Sequence, residues 1–180
     1  MHIVTATAQP DGLVLIEFEN GHTELVDSGD GSSEAVLYAQ WCRAGNRANP
    51  YVPTNEQEQE RLRQLVNEEK DRRKYGGFTF NGVEYQNDPS SLANINGAGS
   101  LAGFAMLNGA QAGDLYWHGG TEAFGFIASD NTVTPMDAQT TFAFAQAAAA
   151  HVTLVTFKAK ALKDRPGGIP ADFTDDSYWS

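Results

Sequence analysis

From Ile3 to Asp27 the apolar positions recur with the two-residue period of strands rather than the 3.6-residue period of helices. The run IVTATA alternates small or apolar residues with threonine. QPDG follows as a turn, LVLIEFE reads as a second strand and TELVD as a third. Asn20-Gly21, between the last two, favours the positive φ values of a type I′ turn, so these runs predict a small antiparallel meander. SGDGSS breaks it. A short helix is expected next, with Ser32 or Ser33 as N-cap and Gly45 just past its end. RANPYVP is a proline-marked connector.

The period then lengthens. Thr54, followed three residues later by Gln57, has the pattern of a capping box and opens a helix with acids early and bases late. Its apolar residues are only Leu62, Leu65 and Val66, which predicts a solvated connecting helix, with a self-pairing stalk as the second reading. Gly76-Gly77 ends it. Alternation on both sides of Asn81-Gly82 predicts a hairpin. A helix of small residues is expected from Asp88 as N-cap and Pro89 at the first helical position. DLYWHGGTEAFGFIA reads as a strand pair turning at Gly119-Gly120. The longest helix is expected after Thr134 as N-cap, with Pro135 at its first position and Asp137 in its first turn, running about seven turns before DRPGGIP.

The order is meander, helix, charged helix, hairpin, helix, hairpin, helix. Hairpins imply antiparallel pairing, so the fold class is α+β rather than a doubly wound sheet. The segments expected are a β-meander and short helix in residues 1–50, a connecting helix in 51–75, an α+β domain in 76–165 and an acidic, aromatic tail in 166–180.

Gly97-Ala98-Gly99-Ser100-Leu101-Ala102 matches the letters of a dinucleotide-binding loop. That loop works only where a buried strand runs straight into the glycines and a helix begins there, facing the pyrophosphate. Here the helix start lies upstream, at Asp88-Pro89, so the glycines fall inside the helix with their N–H groups already used. Each interior glycine costs about 1 kcal/mol against alanine. Such a cost is acceptable where a missing side chain lets another backbone approach. The last helix, with FAFAQAAAAHV, has the matching small-residue character, so the two helices are expected to pack closely.

Charge and composition narrow the function classes. With a net charge of −11, and about half of the Lys and Arg interleaved with acids between Arg61 and Lys74, the chain has no clean basic face for nucleic acid. Cys42 is the single cysteine, which excludes an intrachain disulfide and a multi-thiolate metal site; a buried structural thiol is expected. His2, His22, His118 and His151 lack the i,i+3 or i,i+4 partners of a metal site and read as surface or packing residues. WHGGT is like an oxyanion-hole loop, yet no G-x-S-x-G elbow exists. DSGDGSSE lacks the spacing of an EF-hand. No apolar run approaches a membrane span, and the start lacks the basic n-region of a secretory signal, so action in a cytoplasm, or in a particle assembled there, is expected. No catalytic, cofactor-binding or metal-binding residue is expected; a small enzyme or cofactor binder is kept as a minor alternative.

Two stretches, YGGFTFNGVEYQNDPSSLANINGA and FGFIASDNTVTPMDAQTTFAFAQAAAAHVTLVTFKAKALKD, carry a resemblance. Asn81-Gly82, Asp88, Ser91, Ile95, Asp130-Asn131, Met136-Asp137 and the alanine-rich helix to Lys163 resemble a domain of unknown function found in bacteriophage tail-fibre and tail-fibre-assembly proteins. The chain departs where that family often has a tryptophan shortly before Asp-Asn; Phe126 stands there, with Trp117 further upstream. The resemblance runs from about Tyr75 onward and supplies no catalytic residues. It implies a non-enzymatic tail structural protein at a fibre or baseplate, located in the virion tail, whose partners are other phage tail proteins or copies of itself. The alternative it implies is a tail-fibre assembly chaperone in the host cytoplasm.

The C-terminal segment GGIPADFTDDSYWS is expected to leave the domain. Its rings Phe173, Tyr178 and Trp179 would serve as anchors on a neighbouring protein, with Asp172, Asp175 and Asp176 at the rim. Folding back onto the domain's own surface is the competing reading.

Overall fold

The alternating runs form β1 (Ile3–Ala8), β2 (Val14–Phe18) and β3 (Thr23–Val26), paired antiparallel in the order β1-β2-β3, in the computed structural model, which describes residues 2–180. Alternate residues of β2 (Val14, Ile16 and Phe18) are buried, as the two-residue period requires. They meet Ala6, Val26 and Ala35, the last on α1 (Ser33–Arg43). Ser32 is the N-cap of α1, its hydroxyl accepting from Ala35 N at 3.1 Å. Asn49 returns to the sheet: Ala8 N donates to its carbonyl at 2.9 Å and its own N–H donates to Ala6 O at 2.7 Å. Cys42 is half-buried beside Tyr38 rather than the buried thiol expected. The capping box is formed as expected, with Thr54 N donating to Gln57 Oε1 at 2.8 Å and Gln57 N to Thr54 Oγ1 at 3.2 Å.

That box opens α2 (Asn55–Tyr75), and the chain divides into a unit ending at Gln57 and a unit from Glu58 to Ser180. The four segments expected from sequence therefore become two. The reason is that the charged helix and the tail belong to the core of the second unit. Leu62 and Val66 of α2 are buried with Val155, Ala159, Leu162, Ile169, Phe173 and Trp179. The three apolar residues of α2 are too few to form a core alone, but they complete one built from residues distant in sequence.

β4 (Phe78–Phe80) and β5 (Val83–Tyr85) form the first hairpin, turning at Asn81 (φ 51°) and Gly82 (φ 80°), the two positive φ values of a type I′ turn. α3 (Pro89–Leu107) starts where expected, with Asp88 accepting from Ser90 N and Ser91 N. The second hairpin differs from expectation. Gly119-Gly120 lies in an irregular loop, and the strands are β6 (Gly125–Ile127) and β7 (Val133–Pro135). Their turn is made by Asp130, which accepts from Thr132 N at 3.0 Å, and by Asn131 at φ 70°. Asn tolerates that left-handed conformation, so two Asn-containing turns carry both hairpins. Thr134 and Pro135 consequently lie in a strand, and the N-cap of α4 (Ala138–Lys163) is Asp137, not Thr134.

The fold is mixed α+β, with four helices and seven strands in small antiparallel sheets among the described residues. Phe144 of α4, fully buried, joins the second unit: its ring centroid lies 5.2 Å from Phe78, 4.6 Å from Tyr85 and 4.7 Å from Phe126, so both hairpins pack on one side chain. The first half of α4 thus rests on the hairpins and α3. Its second half rests on α2 and the tail.

Candidate interaction surface

α3 and α4 cross closely where side chains are absent. A Cβ added at Gly99 would overlap the Cβ of Ala145, and one at Gly103 would lie 3.5 Å from the Phe142 ring. Ile95, Gly99 and Ala102 form the buried stripe of α3. The six letters Gly97 to Ala102 thus lie inside a helix and serve helix packing, as their position after Asp88-Pro89 predicts.

The outer side of this crossing is apolar and open. Leu107 is 85 % exposed and Phe104 66 %, and Met106 and Phe142 beside them are also exposed. Ser100, Gly103, Phe104, Met106, Leu107 and Phe142 line a groove of about 660 Å³. It continues into a second of about 360 Å³ through Ser100 and Phe142, toward Asn96, Gln146 and Ala149. No Asp, Glu, Lys or Arg occurs in residues 89–113 or 138–157, in a chain of net charge −11. Neither groove is lined by a titratable side chain, and the Ser100 hydroxyl donates to Asn96 O at 2.9 Å. The face can therefore bury apolar area and offer a few amide groups, without a nucleophile, base or metal ligand. Against the expectation that no apolar run approaches a membrane span, α4 is long and apolar enough to cross one by length and composition, with 22 % of its apolar window buried.

The start of α4 is held by a loop rather than by a strand pair. Asp137 Oδ1 accepts from Thr140 N at 2.8 Å and Oδ2 from Gly113 N at 2.6 Å. Gln139 Nε2 donates to Ala110 O at 2.9 Å and Trp117 Nε1 to Met136 O at 3.1 Å. The Thr140 hydroxyl, then the N–H groups of Gly113 and Thr140, hold the Asp137 carboxyl below its ordinary range. This loop fixes the end of α3 beside the first turn of α4 and so shapes one end of the groove.

The residues singled out in the tail are placed otherwise than expected. Phe173 and Trp179 are buried in the unit's own core, so they are not free anchors. The physical reason is the pairing of rings with α2: Trp179 Nε1 donates to Phe173 O at 2.8 Å, and the Arg73 guanidinium lies 5.0 Å over the indole. Tyr178 is half-buried, its hydroxyl donating to Asp172 Oδ1 at 3.2 Å, with Arg165 5.5 Å over its ring. Asp175 and Asp176 are exposed. Asp175 caps a 3-10 turn over Asp176–Tyr178, and Asp176 pairs with Arg73 at 2.7 Å. Arg73 also binds Glu69 at 2.6 Å, and Arg72 first, then Arg73, hold the Glu69 carboxyl below its usual range against its partial burial.

The open α3–α4 face was missed in the sequence reading, which weighed these helices for how they pack on each other. Its signal was present as the two long uncharged stretches in a strongly acidic chain. Among the described residues no group of three His, Cys, Asp or Glu is placed to hold a metal ion. His22 and His118 are exposed, and His151 Nε2 lies 3.0 Å from Arg73 O.

Residues 57–177 match the model of a family described as a domain of unknown function (DUF4376). The match takes in α2, both hairpins, α3, α4 and most of the tail, including the whole α3–α4 face. No curated protein and no solved structure matches the chain.

Proposed function

The chain belongs to the DUF4376 family, and we propose that it works as a non-enzymatic structural component of a bacteriophage tail, at a fibre or baseplate, through protein–protein contacts. The observation that carries this reading is the uncharged apolar face of α3 and α4, open over two joined grooves. A patch of that extent on an acidic protein is an attachment surface more readily than a catalytic one, because it offers area and no reactive group. The resemblance at Asn81-Gly82, Asp88, Ser91, Ile95, Asp130-Asn131 and Met136-Asp137 supports the tail assignment. The same face would suit a tail-fibre assembly chaperone, which covers a client's apolar surface and then leaves. Quantitative mass spectrometry of purified virions separates the two. A stoichiometric amount of the chain supports the structural role. Its presence in infected-cell lysate with none in the virion supports the chaperone. Absence from both, in a phage that encodes it and is actively replicating, removes the tail reading.

A further inference from the structure

We propose that the α3–α4 face is closed by the same face of a second copy of this chain, giving a two-fold dimer. The proposal rests on the reading above, that the chain works through protein contacts at this face, and it names the occupant.

Area is the first argument. Phe104, Met106, Leu107 and Phe142, which line the larger groove, keep between 37 % and 85 % of their surface open. Taking about 200 Å² for a fully exposed side chain of this size, they leave on the order of 450 Å² of apolar surface uncovered. A stable interface buries about 800 Å² on each partner, of which a little over half is non-polar, so this one patch is close to the apolar area a dimer needs.

Charge is the second. Two copies each carrying −11 repel one another, and the α3–α4 face is where residues 89–113 and 138–157 bring no acid to the contact. Charges further than the ~8 Å screening length at physiological salt act weakly across such a contact. A membrane surface is the poorer occupant. An amphipathic helix that lies on lipid carries Lys and Arg along its polar flank, and neither stretch has one.

Shape is the third. A two-fold contact uses one patch against itself, so the patch must hold both a projection and a recess. Phe104 and Leu107 project, and the groove of about 660 Å³ beside them includes Ser100 and Gly103, where bulk is missing. The rings and leucines of one copy have the small-residue floor of the other to enter.

Sedimentation velocity on the full chain, with Phe104→Asp and Leu107→Asp as variants, tests this. Both positions are exposed, and thermal melts of each variant confirm that the fold is kept. The parent is expected to be a dimer at micromolar concentration, with each variant weakening association by roughly thirtyfold or more, the loss that marks a central interface residue. Leu25→Asp, at an apolar position that is 56 % exposed but on β3, should leave the dimer intact. A parent that stays monomeric at about 100 μM overturns the second copy as occupant. So does a dimer that both variants leave unchanged, or a monomer that floats with phosphatidylcholine vesicles. A monomeric chain still found in virions overturns the dimer and leaves the tail role standing. A dimer broken by the variants, in a chain absent from phage and lysate, keeps the dimer and removes the tail role.

Discussion

The guanidinium of Arg73 lies 5.0 Å above the ring of Trp179, joining the last turn of α2 to the second-last residue of the chain. Arg73 also donates to Thr174 O at 2.8 Å and pairs with Glu69 and Asp176, so one side chain ties the tail to the helix by three kinds of contact. Beneath it, Trp179 and Phe173 fill the space between α2 and the second half of α4. A glycine-marked segment that looks detachable is therefore the lid of a core. Gly167 and Gly168, both at positive φ, provide the reversal that brings it back.

Removing residues 171–180, or making Trp179→Ala, should lower the melting temperature clearly. Truncating a buried aromatic residue costs about 3–5 kcal/mol. Asp176→Asn should cost much less, because Asp176 is 91 % exposed and an exposed ion pair contributes at most about 1 kcal/mol. Thermal melts of the three proteins check the order. Parent-like melting after truncation would mean the tail is dispensable and the burial of Trp179 contributes nothing.

Two glycines in one helix should respond in opposite directions. Gly97 has nothing within 4 Å of an added Cβ, so Gly97→Ala should stabilise by up to about 1 kcal/mol through helix propensity. Gly99→Ala gains the same propensity but drives its methyl into Ala145, so it should destabilise by about 1–3 kcal/mol. Ala145→Gly in the Gly99→Ala background should recover part of the loss, since the overlap is methyl on methyl. Chemical denaturation of the single and double variants measures the coupling, and additive effects would show that the helices do not meet there.

Gly168 combines a φ of 91° with a Cβ position 2.8 Å from Gln59 Oε1, the atom that accepts from Ile169 N at 2.8 Å. Gly168→Ala should therefore destabilise through both backbone strain and loss of that anchor, and Gly167→Ala, at φ 89° with open space around it, through strain alone. The difference between their melting temperatures isolates the Gln59 contact.

Local signals were readable in the sequence because their partners are near. Thr54 with Gln57, Asp88 with Ser90 and Ser91, and Asn81 with Gly82 each complete a motif within four residues. The errors arise where a local signal had a rival or the partner was distant. Gly119-Gly120 and Asp130-Asn131 both look like turns, and only pairing of Phe126 with Thr134 decides between them. Thr134-Pro135 looks like a helix start, but the two residues are used in that strand and the cap moves to Asp137. Leu62 and Val66 looked too sparse to matter until Leu162 and Trp179, about a hundred residues away, covered them. The open face of α3 and α4 follows from the same gap. A sequence shows that Phe104 and Leu107 are apolar, whereas which apolar residues stay uncovered depends on where α4 lies.

Asp137 holds the start of α4 and the loop before β6 at once, so its titration should be visible in stability. Its carboxyl is depressed in the folded chain by the Thr140 hydroxyl first and by the N–H groups of Gly113 and Thr140. A depressed carboxyl stabilises fully above its unfolded value, about 3.9, and that contribution disappears as pH falls through the lower folded value. Asp137→Asn keeps a good capping residue but gives up the charge-assisted bond to Gly113 N. The variant should melt below the parent near neutral pH, and the gap should narrow as the pH drops below about 4, where the parent's own Asp137 takes up a proton. Asp88 and Asp130, also depressed by hydrogen bonds from Ser91 and Thr132, titrate alike in both proteins and cancel in the difference. Asp137→Ala should cost about 1 kcal/mol or more as a lost cap. It should also speed proteolysis between Gly109 and Phe124, because Gly113 loses its tether. A melting gap that stays constant from neutral pH to about pH 2 would show that the charge on Asp137 contributes nothing, and that the loop is held by Trp117 and Gln139 alone.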